Sequence, residues 1–171
     1  WRAMFSGDGA FNDLLALFGI HGKPWVNDPA WALETLMVLA IWQFGAPMVI
    51  FLAGLKQVPT ELYEAAAVDG AGRFRQFWNV TLPMLSPVIF FNLVLETINA
   101  FQTFTPAYVV SGGLGGPIDS TMLYTLYLYR KGFSSLQMGY ASAMAWVLFV
   151  VIGLFTALYF ASSRRWVTYA D

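Results

Sequence analysis

Cysteine is absent from these 171 residues, and histidine occurs once, at His21. Disulfides and thiolate metal sites are therefore excluded. With no H-E-x-x-H, and with the lone histidine in a Gly/Pro-rich loop, no metal centre is expected. Charge is scarce as well. Asp, Glu, Lys and Arg make up 11% of the chain, against roughly 25% in an average soluble domain, too little to coat a water-soluble globule. The net charge of −1 gives no general attraction to nucleic acid, so none is expected as a partner. No G-x-x-x-x-G-K-S/T occurs, so the chain is not expected to hydrolyse ATP itself. "GGLGGP" lacks the lysine and reads as a turn. No Ser/His/Asp arrangement is present, no cofactor is expected, and an enzyme using Glu96 as its acid would lack a second catalytic group. The opening Trp1-Arg2-Ala3 has no Met and no charged segment leading into an apolar core. No signal peptide is visible, and the chain reads as the C-terminal part of something longer.

What is abundant is apolar: 58% hydrophobic and 18% aromatic. A spanning helix takes about 20 apolar residues, and three stretches suffice, with approximate spans at 33-56, 83-110 and 139-161. Residues 35–55 and 139–161 carry no charge, and 84–110 carries only Glu96. Seven Trp and eight Tyr suit rings parked at a membrane interface. The expected fold is an all-α membrane protein, a polytopic helical bundle with residues 1-171 as one transmembrane domain. Gly45 and Pro47 should kink the first span, which is tolerated where neighbours satisfy the freed carbonyl.

The connections differ in kind. "FNDLLALFG" reads as a short amphipathic helix, capped by Asn12 and stopped by Gly19. After the turn "SGGLGGP", the Tyr-rich "TMLYTLYLYRKGF" suits a helix lying at the interface. Three spans put residues 56–82 and the C-terminal tail on one side, with Lys56, Arg73, Arg75, Arg164 and Arg165. The other side has Lys23, Arg130 and Lys131. That excess favours a cytoplasmic placement for the segment 56–82 and for the tail.

Residues 59-82 form a polar, alanine-rich hairpin between two apolar runs. Pro59 interrupts any helix leaving the first span, Thr60 can cap a new one, and Glu61 suits its first turn. Leu62, Ala65, Ala66 and Asp69 fall on one face, mostly of small residues that admit a close neighbour. Gly70 is placed as the left-handed residue after a helix end. Phe74, Phe77 and Trp78 line a second short helix. A plain connector needs only a few residues. A hairpin with exposed aromatics more often docks a partner.

"EAAAVDGAGRFRQFWNVTLP" resembles the EAA signature of the permease subunits of binding-protein-dependent ABC importers. Glu64, Ala65, Ala66, Gly70, Leu82 and Pro83 all fall at the family's spacing, with Val80 where the pattern prefers isoleucine. "WVNDPAWA", "FLAGLKQVPTELYEAAAVDGA", "LPMLSPVIFF", "MGYASAMAWVLF" and "SRRWV" extend the resemblance to the maltose-permease-like, sugar-transporting branch. The resemblance implies a coupling helix seated in a cleft of a cytoplasmic ATPase. Glu64 would pair with a basic residue there, Ala65 and Ala66 would give close contact, and Gly70 would set the bend. It further implies an ABC ATPase dimer, a second permease subunit, an extracytoplasmic solute-binding protein and a plasma (inner) membrane location.

Asn92, Glu96, Asn99 and Thr103 recur at i, i+4, i+7 and i+11 in the second span. An ionisable group at bilayer depth is a functional candidate by default, so the stripe reads as a solute pathway. Hydrogen-bonded glue between helices is the other reading. Amides, a carboxylate and nearby aromatic rings would suit a hydroxyl-rich solute, and the resemblance points to a sugar. An ion-coupled secondary transporter, with Glu96 carrying a proton, is the competing function.

Overall fold

The computed structural model describes residues 1–168. Among them every regular element is helical. Three helical stretches are long and apolar enough to cross a membrane: Ala32–Lys56, Arg73–Ser111 and Met138–Ser163. Their side chains are mostly exposed within the chain, as lipid-facing or partner-facing helices must be. The chain divides into two compact units. One comprises residues 1–43 with 100–149, and the other residues 44–99 with the chain from Val150 onward.

In the first unit, α1 (Ala10–Ala16), α2 (Ala32–Trp42), α7 (Thr105–Ser111) and α8 (Tyr124–Tyr129) surround a small core. Phe5, Val26, Leu36, Ala107, Val110 and Leu126 are buried there, with Trp1, Phe11 and Trp25 packed around them. Asn12 does not cap α1. It lies inside the helix, and its amide donates to the carbonyls of Gly7 (2.8 Å) and Lys23 (2.9 Å). Trp25 Nε1 donates to Asn12 Oδ1 at 2.6 Å. A polar side chain that can reach two loops is worth more there than at an exposed helix end. The Tyr-rich segment does form a short helix, and the Tyr124 hydroxyl donates to the Met144 carbonyl at 2.8 Å.

At the expected kink near Gly45 and Pro47 the helix carries a two-residue turn. α2 ends at Trp42, and α3 (Gly45–Lys56) begins after the turn at Gln43–Phe44. Pro47 has no amide hydrogen for the carbonyl four residues earlier, at Gln43, which accounts for the interruption there.

The second unit holds α3, the hairpin, and α6 (Leu82–Phe101). α3 and α6 approach closely at Gly54, where a Cβ would lie 2.9 Å from Val88 Cγ2 and 3.1 Å from Leu85 Cδ2. Phe90, buried on α6, meets Phe160 edge-on at 5.0 Å and Trp166 at 6.0 Å. Phe160 belongs to α9 (Met138–Ser163), the longest helix, and Trp166 to the turn beyond it.

Candidate functional site

The hairpin consists of α4 (Thr60–Val68), α5 (Arg73–Gln76) and a π-helical turn (Phe77–Thr81) that runs directly into α6. Pro59 is extended, at φ −60° and ψ 133°, and it occupies the cap position of α4. Thr60 is thus the first helical residue and not the cap, and no side chain caps this end.

The other end of α4 is closed by its own backbone. Gly70 has φ +74°. Its N–H donates to the Ala67 carbonyl at 3.0 Å, and the Ala71 N–H donates to the Ala66 carbonyl at 2.9 Å. This paired closure satisfies two carbonyls of the last turn and reverses the chain. Glu64 and Ala65 are exposed and Ala66 is half-buried, as are Leu82 and Pro83 at the far end of the hairpin. The signature residues thus fall into two groups: Glu64, Ala65, Ala66 and Gly70 on the first arm, Leu82 and Pro83 where the second arm enters α6.

Three residues that the sequence did not single out hold the arms together. The Tyr63 and Thr81 hydroxyls share a hydrogen bond at 2.9 Å. Gln76 Nε2 donates to the Ala71 carbonyl at 3.1 Å. Between the arms lies a depression of about 270 Å³, lined by Ala66, Asp69, Arg75 and Asn79 among others. The helical period is broken between Val68 and Arg73, so the Tyr63–Thr81 bond had no readable signal. Outside, Phe74 is 79% exposed and packs edge-on with Trp78, which also meets Phe77.

Thr81 is buried, so Tyr63→Phe should leave its hydroxyl without that partner and cost about 1–3 kcal/mol. Proteolysis within residues 60–81 should accelerate accordingly. The double variant Tyr63→Phe/Thr81→Val should recover much of the loss; no recovery would mean the bond does not hold the arms.

The polar stripe is shorter than its spacing suggests. Asn92, Glu96 and Asn99 lie on α6, but α6 ends at Phe101 and Thr103 falls in the break before α7. Thr103 is therefore off the helical face, and its carbonyl accepts from the Thr125 hydroxyl. Asn92 is buried and donates to the Val88 carbonyl of its own helix at 2.9 Å, so its amide is partly occupied. Glu96 and Asn99 are exposed within the chain. Among the described residues no group of three or more His, Asp or Glu could hold a metal ion.

Residues 9–168 match the family described as binding-protein-dependent transport system inner membrane component. The chain is 55% identical over 170 residues to the probable ABC transporter permease protein YesP of Bacillus subtilis, covering 99% of this chain and 55% of that protein. It is 42% identical to the sulfoquinovosyl glycerol transport system permease protein SmoG of Agrobacterium fabrum, covering 88% of this chain and 49% of SmoG. With the lactose transport system permease protein LacF of Rhizobium radiobacter it shares 34% identity, covering 96% of this chain and 57% of LacF. The chain thus spans about half the length of these curated relatives. A crystal structure of a bacterial alginate ABC transporter, in complex with an alginate pentasaccharide-bound periplasmic protein, shares the fold. The TM-score is 0.81 at 24% identity, covering 96% of this chain and 57% of that one.

Proposed function

Because the chain belongs to the family of binding-protein-dependent transport system inner membrane components, we propose that it serves as a permease subunit of an ATP-driven importer of a sugar or related polyol. It is a multi-pass membrane component with three helices able to cross the bilayer. The hairpin 59–82 faces the cytoplasm and seats in a separate ABC ATPase. The spans line part of the solute path together with a second permease, and an extracytoplasmic binding protein delivers the solute. Relatives named for sulfoquinovosyl glycerol and lactose transport support the solute class.

One observation carries the coupling role. The segment bearing Glu64, Ala65 and Ala66 is a closed helical hairpin with an exposed acidic and aromatic surface, continuous with a candidate span. A rigid joint of this kind transfers motion of a partner into the membrane by biasing one of two arrangements.

Affinity purification of the full-length permease from its own membranes should retain an ATPase. Uptake should persist when the proton gradient is collapsed while ATP is maintained. No ATPase, with uptake abolished by the collapse, would replace this reading with a proton-coupled carrier. On α6, Glu96→Gln should leave ATPase association intact and lower uptake roughly tenfold or more, the scale of losing a hydrogen bond to a charged group. Uptake lowered only in proportion to impaired assembly of the permease pair would assign Glu96 to helix–helix contact.

A further inference from the structure

Pro87 sits inside α6, one turn after the Leu82-Pro83 pair that ends the hairpin. It has no N–H to give the carbonyl of Pro83, four residues earlier. The Ser86 hydroxyl donates to that carbonyl instead, at 2.6 Å. The same oxygen accepts the backbone N–H of Thr168 at 2.8 Å. Ser86 is 3% exposed. One buried hydroxyl thus links the freed carbonyl at the root of the hairpin to the segment that follows α9. Trp166, packed on Phe90 and donating to Ser162 Oγ at 3.3 Å, holds that segment in place. Thr168 also borders a cleft whose other walls are Gly54, Gln57 and Val58 at the end of α3, and Met84, Pro87 and Val88 at the start of α6. Both roots of the hairpin meet there.

We propose that Ser86 is a positioning residue for coupling. Through it, residues 164–168 act as a strap that fixes the angle at which the hairpin enters α6. This rests on the hairpin being the coupling element. The proline has removed the bond that would stiffen this turn, and the strap supplies the stiffness in its place. The join then gives way only when the strap lets go.

The test uses the full-length permease in its complex, in membranes. Because this chain has no cysteine of its own, oxidising a Ser86→Cys/Thr168→Cys pair reads the contact without background from it, provided any cysteine elsewhere in the full protein is replaced first. The pair should crosslink readily, whereas Ser86→Cys with Ser163→Cys should not. Failure to crosslink overturns the strap itself. For function, Ser86→Ala and Thr168→Pro should each lower uptake per ATP hydrolysed about three- to tenfold, the scale of one lost hydrogen bond. Ser86→Thr, which keeps a hydroxyl, and Thr168→Val, which keeps the N–H, should stay within about twofold. A merely structural defect would lower protein amount and hydrolysis together and leave that ratio unchanged. An unchanged ratio in Ser86→Ala and Thr168→Pro overturns the positioning role. If replacements at Glu64 and Gly70 also leave ATPase binding and uptake untouched while the crosslink forms, the coupling reading of the hairpin has failed and the contact stands.

Discussion

Gly70→Val is expected to reach the membrane in near-normal amount and to lose uptake at least about tenfold, the equivalent of about 1.4 kcal/mol. The cause is backbone conformation and not crowding. A Cβ at Gly70 would meet no atom within 4 Å, but φ is +74°. Forcing an L-residue into that region costs roughly 1–2 kcal/mol, and a β-branched one is worse placed than most. The cheapest relief is to abandon the N–H bonds from Gly70 and Ala71 that close α4. The two arms would then meet at a different angle. The strain is confined to one exposed turn, so folding should survive while docking fails. Gly70→Asn supplies the control, because asparagine tolerates the left-handed region and should keep most uptake. Equal behaviour of the two variants would show that the turn conformation is not what matters.

Glu64→Lys is expected to weaken ATPase association by more than tenfold, with Glu64→Gln intermediate. The side chain is exposed on α4, next to Ala65 and near Val68, which is 89% exposed. Replacing it should change the helix itself by no more than about 0.5 kcal/mol. Across an interface the same change turns attraction into repulsion, and close charge pairs there couple by about 1.5–7 kcal/mol. Co-purification at low and high salt reads the effect, since a lost ion pair also removes salt sensitivity. If Glu64→Lys retains its ATPase as well as the unaltered protein does, Glu64 has no partner of opposite charge.

Features set by local rules were legible in the sequence. Apolar runs with at most one charge became helical stretches of spanning length, and the glycine after an alanine-rich segment took the left-handed turn. The readings that failed, at Asn12, Thr60 and Thr103, turned on where a helix begins or ends. Asn12, a natural cap, bridges loops to Gly7 and Lys23 instead. Thr103 follows the helical period, but Pro106 lies three residues on, and the helix has already ended at Phe101. The period could not report its own termination. Ser86 is the instructive case. A serine next to a proline within a helix has a carbonyl to satisfy one turn back, and that much could be read in advance. Its second partner, 82 residues away, could not.

The π-helical turn at Phe77–Thr81 makes the two arms of the hairpin mechanically unequal. The second arm runs through the π turn into α6 with no non-helical residue between them, and the first weak point on that side is the turn at Pro87, where Ser86 takes the Pro83 carbonyl. The first arm meets α3 through the non-helical Gln57–Pro59, with Pro59 extended. One residue more or less in the π turn would rotate the second arm about α6 by about 100°.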